Sequence, residues 1–180
     1  EDALVVATWL NTFLNKADIV KIACIAQIVN VIAPIMTRSD GMYRQTIFYP
    51  LALFSNHASG MALDALVKAP LQDTKRYGPV KVLDVSASFD PQTGKGASFL
   101  VNRSQTEALN VTVSWEDLAP QSLTQAWQMS GPDPTAGNSF EQPDCVTAQE
   151  IALPPLEGNS VTLTLPPLSF TTLLSRHAPV

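Results

Sequence analysis

Gln27 and Asn30 stand three residues apart at the end of an apolar run, in A-Q-I-V-N. A planar side-chain amide carries donors and an acceptor together, which suits a pair of hydroxyl groups. The structural alternatives are a polar residue ending a strand for Gln27 and an Asx turn for Asn30. Acid–base chemistry finds less to work with. Glu116 and Asp117 are adjacent, and adjacent side chains of a strand point to opposite faces, so they make no cooperating pair. His57 falls at the end of an expected helix, where a cation suits the dipole. His177 is expected in a frayed tail. Cys24 and Cys145 are far apart and neither lies in a C-x-x-C pair, so each is expected to be a small buried hydrophobe. With two histidines and two cysteines so dispersed, no metal site is expected. Trp115 and Trp127 could form a stacking platform for a sugar, but anchoring a sandwich core is the commoner use of such residues. Trp9 is expected to pack.

The elements that must position these residues fall into two styles. Residues 2–16 carry Leu4, Val5, Trp9, Leu10, Phe13 and Leu14 at helical spacing, with Asp2 as an N-terminal charge or cap. Residues 20–26 (VKIACIA) are apolar on both faces, as a parallel strand covered on both sides would be. After a loop through Pro34 and Gly41, residues 44–57 repeat Ile47, Phe48, Leu51 and Phe54 at helical spacing, with Pro50 as a kink or first-turn residue. Residues 70–79 read as a linker. Beyond them the period becomes two: 80–89, 97–102, 109–115, 121–129, 161–165 and 170–174 are expected strands joined by Pro- and Gly-containing turns, which describes an antiparallel sandwich. One helix, one buried strand and one helix do not make a domain, because the strand has two edges and two faces to cover. Residues 1–69 therefore read as the end of a larger α/β sheet.

The chain has 180 residues, 46% hydrophobic and only 15% charged, with a net charge of −5. That is a globular composition with apolar surface left to cover. The negative charge argues against nucleic acid and against an anionic membrane surface as partners. Lys21, Gln27, Asn30 and Pro34 interrupt the apolar stretch 19–36, so no membrane span is expected. Nothing resembling a signal peptide is visible.

The runs EDALVVATWLNTFLNKADIVKIACIAQIVNVIAPIMT and YRQTIFYPLALFSNHASG resemble the C-terminal part of the family 51 glycoside hydrolases, the α-L-arabinofuranosidases. LVNRS (100–104), NSFEQPDCV (138–146) and LPPLSFTTLL (165–174) extend the resemblance more loosely over nearly the whole chain. The resemblance implies a (β/α)8 barrel followed by a β-sandwich, with residues 1–69 as the last helix, strand and helix of the barrel and 70–180 as the sandwich. A barrel takes about 250 residues, so most of it would lie outside this chain.

The family releases terminal arabinofuranosyl groups with retention, using two glutamates. Those belong to N-E and D-E-W-N stretches on earlier strands, which do not occur here, and Glu1 belongs to a helix entrance. No catalytic residue is therefore expected in this chain, and the chain alone is expected to be inactive. Gln27 matches the family glutamine that hydrogen-bonds arabinose hydroxyls, and Asn30 could support it. The resemblance further implies no metal or cofactor, an arabinose-containing oligo- or polysaccharide as ligand, the rest of the barrel as partner, oligomer formation in some members, and a cytoplasmic setting. The other reading is a stand-alone carbohydrate-binding or assembly module.

Overall fold

A computed structural model describes residues 1–178. In chain order its elements are α1 (Asp2–Asn15), β1 (Ile35–Arg38), β2 (Gly41–Arg44), α2 (Phe48–His57), β3 (Met61–Leu63), β4 (Leu71–Thr74), β5 (Gly78–Lys81), β6 (Leu83–Asp90) and β7 (Lys95–Asn102). There follow β8 (Leu109–Ser114), β9 (Ser122–Met129), β10 (Ala148–Glu150), β11 (Leu156–Glu157), β12 (Ser160–Leu165) and β13 (Ser169–Arg176).

The period-two stretches build two sheets. Six strands run in the order β10-β9-β13-β7-β6-β3, and three in the order β11-β12-β8. The pairings are antiparallel, with β13 in unbroken register on β7 from Ser169 opposite Asn102 to Arg176 opposite Lys95. Alternation then sorts the side chains. Leu100 of β7 and Leu83 of β6 face Leu163 and Leu165 of the small sheet. Leu173 and Ala126 meet Val161. The opposite face of the large sheet presents Ala97, Phe99, Val101, Met129, Phe170 and Leu174 to the helices. The architecture is thus a β-sandwich with two helices on its outer face, three layers in all.

The helices dock because each has one face that fits the sheet. Ala3, Leu4 and Ala7 of α1 are buried, as are Tyr49, Leu53 and Phe54 of α2. Phe54 stacks on Phe99 with centroids 3.8 Å apart and lies 6.0 Å from Phe170. Pro50 sits in the first turn of α2, where its missing N–H has no intrahelical partner to lose. Asn11 is fully buried under α1. It donates to Asp84 (3.1 Å) and accepts from the Ser86 hydroxyl (2.6 Å), so this buried polar group is satisfied on both sides. Burial raises the Asp84 carboxyl above its ordinary range, against the opposing pull of Arg103.

Several expectations change. Residues 20–26 are not a strand: among the described residues nothing pairs with them, and Ile22 is 82% exposed. A strand exists only with a neighbour to bond to, and this segment has none here. The helix expected over 44–57 begins at Phe48, because residues 41–44 pair with 35–38 as a hairpin. The linker expected over 70–79 carries the β4–β5 hairpin. Strand β3 precedes residue 70 yet joins the large sheet beside β6, entering through Gly60, whose φ of +77° and 2.3 Å approach of a Cβ to the Phe89 carbonyl suit glycine.

His177 is buried, not frayed. Its backbone N–H donates to Gly94 O, its Nδ1 lies 3.0 Å from Leu118 O and its Nε2 lies 2.8 Å from Ser175 Oγ. Desolvation lowers its pKa, partly offset by the Leu118 carbonyl. Both cysteines are exposed thiols, Cys24 because its segment is uncovered and Cys145 because it lies in a surface loop. Trp9 is 62% exposed, on the face of α1 away from the sheet.

Candidate functional site

The segment after α1 ends in a turn with unusual backbone geometry. Gln27, Asn30 and Val31 have φ values of 62°, 64° and 59°. Asparagine tolerates this left-handed region, but a β-branched valine there is strained. Such strain persists only where surrounding contacts over-determine it, and it concentrates at functional sites.

Those contacts are present. Asn30 N donates to Ile35 O (2.8 Å), and Ala33 N closes the turn on Asn30 O (3.0 Å). The Asn30 side chain accepts from Thr37 N at 2.7 Å and donates to Thr37 Oγ1 at 2.9 Å. Gln45 reinforces the far side, its N on Pro34 O at 2.8 Å and its Nε2 on Ala33 O at 2.8 Å. Residues 29 and 35 form a single parallel bridge. The turn is thus clipped to the β1–β2 hairpin by one amide. The Gln27 side chain is exposed and, among the described residues, takes part in no hydrogen bond. A free amide is presented on a left-handed backbone position, two residues before the bridge that begins the clipped turn.

The other candidates separate. Asn30 opens the turn, three residues along the chain from Gln27. Trp127 packs on the helix-covered face of the large sheet and Trp115 in the cluster between the sheets, so the two indoles do not line up on one surface. His57 ends α2, its pKa lowered by burial and then by Lys95. Glu116 and Asp117 are exposed and distant from Gln27 in the chain. Among the described residues no group of three metal-ligating side chains converges. No helix there is long and apolar enough to cross a membrane. Sequence reasoning missed Thr37, Gln45 and the hairpin that holds the turn. IMTR and GMYR alternate too weakly to announce strands, and the Asn30–Thr37 pairing shows only in three dimensions.

The fold has close counterparts. A family 51 α-L-arabinofuranosidase of Bifidobacterium longum superposes with a TM-score of 0.91 at 34% identity, over 97% of this chain and 34% of that one. This places the helix-faced sandwich among the domains of glycoside hydrolases. Residues 1–169 match the family described as "Alpha-L-arabinofuranosidase C-terminal domain", and the chain belongs to it. It is 35% identical over 173 residues to the intracellular exo-α-(1→5)-L-arabinofuranosidase of Streptomyces lividans, covering 96% of this chain and 26% of the relative. With the enzyme of that name from Halalkalibacterium halodurans it is 46% identical over 112 residues, 62% of this chain and 22% of the relative. The chain therefore spans about a quarter of the length of these relatives.

Proposed function

We propose that this chain is the C-terminal portion of a retaining α-L-arabinofuranosidase that releases terminal arabinofuranosyl groups from arabinose-containing glycans. The observation that carries the reading is the likeness to family 51 enzymes along nearly the whole chain, in sequence and fold together. In this reading residues 1–69 supply the last helix, strand and helix of a (β/α)8 barrel, and residues 70–180 form the sandwich that braces it. Residues 20–26 become the last barrel strand once the preceding strands pair with it.

Two uncovered surfaces support this. Val5, Trp9 and Phe13, four residues apart on α1, form a second apolar stripe facing away from the sandwich. Ile22, Ile25 and Ile28 stand exposed on the neighbouring segment. A barrel wall would cover both, and burial of each such side chain would contribute about 1.5–3 kcal/mol.

The mechanism divides between the parts. Two carboxylates from the absent strands would supply acid–base and nucleophilic chemistry, as retention requires. Gln27, following the last strand, would face the substrate as C-terminal strand ends of a barrel do. Its amide would bind two arabinose hydroxyls, fixing the ring against the nucleophile, with Asn30 holding the turn beneath it. The setting proposed is cytoplasmic.

The test compares the full-length protein with residues 1–180 alone on an aryl arabinofuranoside. The full-length protein is expected to release arabinose and the segment alone to show none. Inactivity of the full-length protein, or robust hydrolysis by the segment, would overturn the reading.

A further inference from the structure

The turn that carries Gln27 does not rest on its own segment alone. It is clipped by Asn30 to Thr37 of β1, and the next residue, Arg38, reaches the loop between β9 and β10. The Arg38 guanidinium lies over the Phe140 ring at 4.3 Å and 3.7 Å from the Glu141 carboxylate. Tyr43, from the paired strand β2, meets the same ring edge-on with centroids 4.8 Å apart. Asn138 donates from Nδ2 to Arg44 O at 2.9 Å, at the end of β2. The same Asn138 is fastened into the sandwich, donating to Val146 O (2.9 Å) and accepting from Val146 N (2.7 Å). Val146 in turn belongs to the core cluster between the helices and the large sheet.

A continuous chain of contacts thus runs from that core through Asn138 and Phe140 to the hairpin and through Thr37 to Asn30, three residues along the backbone from Gln27. Hydrogen bonds alone would tolerate some tilt of a hairpin with four-residue strands. An aromatic ring gripped between a cation on one strand and a tyrosine edge on the other fixes it in two directions.

We infer that Phe140 and Asn138, residues of the sandwich loop, are positioning residues for the sugar-binding amide of Gln27. The sandwich then sets the accuracy of the arabinofuranosyl subsite across the domain boundary. The inference rests on the proposed role of Gln27. Without the Phe140 ring the hairpin and its turn are free to shift, and the amide no longer meets both hydroxyls. Binding in ground state and transition state would weaken together, which raises KM and leaves kcat near its original value.

A double-mutant cycle on the full-length protein tests this, using an aryl arabinofuranoside and the variants Phe140→Ala, Gln27→Ala and both together. Phe140→Ala is expected to raise KM about fivefold, within the coupling that packed networks carry. In the Gln27→Ala background the same change is expected to have no further effect, because there is no amide left to misplace. Arg38→Met, at an exposed position, removes the grip without touching the core, and is expected to reproduce the KM rise if Phe140→Ala does not fold. Independent, multiplying effects would overturn the inference, as would an unchanged KM in the folded variants. Inactivity of the unmodified full-length protein would instead overturn the reading of Gln27 itself, and this inference with it.

Discussion

Strand β13 (SFTTLLSR) and the far more apolar segment 19–32 have fates opposite to what their composition suggests. Seven of the eight residues of β13 are buried, and Phe170 and Leu173 expose 0% and 1% of their surface. In the segment, Ile22, Ile28, Val31 and Ile32 are 82%, 65%, 74% and 64% exposed. Hydropathy ranks them the wrong way round; neighbours decide. Strand β13 has β9 and β7 on its two edges and an apolar layer over each face. The segment has a clipped turn at one end and nothing beside it among the described residues. A run of branched residues states a demand for partners, and the structure shows where within this chain that demand is met.

The comparison breaks most sharply at the centre of the large sheet. Phe99→Ala removes the ring between Phe54 and the β7 backbone, and should cost about 3–5 kcal/mol, read as a drop in the urea midpoint of residues 1–180. Next comes Asn102, fully buried, whose Nδ2 serves the carbonyls of Glu107, Leu165 and Pro166 and whose Oδ1 accepts from Ser104 N. Asn102→Ala orphans these groups and should cost about 1–3 kcal/mol in the same measurement.

A smaller effect lies at His177. Burial lowers its folded-state pKa beneath the unfolded value of about 6.5, so the unfolded chain binds more protons and stability rises with pH. The contribution is complete above the unfolded pKa and is lost as pH falls towards the folded one. His177→Gln should therefore show a shallower fall in thermal midpoint between pH 7 and pH 5 than the parent, by a few degrees. The remaining slope of the same sign comes from His57, whose pKa is lowered as well. A variant slope equal to the parent's would remove His177 from the account.

The smallest effect sharpens the comparison from the other side. Ile22→Asp in residues 1–180 should change stability by less than about 0.5 kcal/mol, because nothing covers the side chain. The same change in the full-length protein should cost several times as much if a barrel wall packs there. Equal effects in both would mean that the segment stays uncovered.

The sequence made the sandwich legible wherever alternation was clean: LNVTVS, VTLTL and SFLVN became β8, β12 and part of β7. Helix α1 was legible from its spacing, but the six apolar residues read as one stripe belong to two. Leu4, Leu10 and Leu14 turn to the sheet while Val5, Trp9 and Phe13 turn away. The buried face is completed by Ala3, Ala7 and Asn11, small or polar residues that no hydropathy count selects. His177 looked like tail because its burial depends on Leu118 and Ser175, which only the fold brings close. Of the candidate site, Gln27 and Asn30 are named by the family resemblance, Asn30 only as a support. The left-handed valine is not legible in the sequence, since residue type argues against that conformation and only tertiary contacts enforce it.

The position of β13 in the large sheet has a consequence for how the protein is made. It is the last strand among the described residues, yet it lies third in the order, between β9 and β7. During synthesis at about 5–20 residues per second, neither flank of that sheet can close until residues 169–176 have left the ribosome. Until then Phe99, Val101 and Met129 lack the cover that Phe170 and Leu174 give them, and the nascent domain is a set of hairpins waiting for a keystone. Assembly is therefore nearly all-or-none in time, and a chain released before residue 169 is made carries two open strand edges, on β9 and β7, prone to pair with other copies.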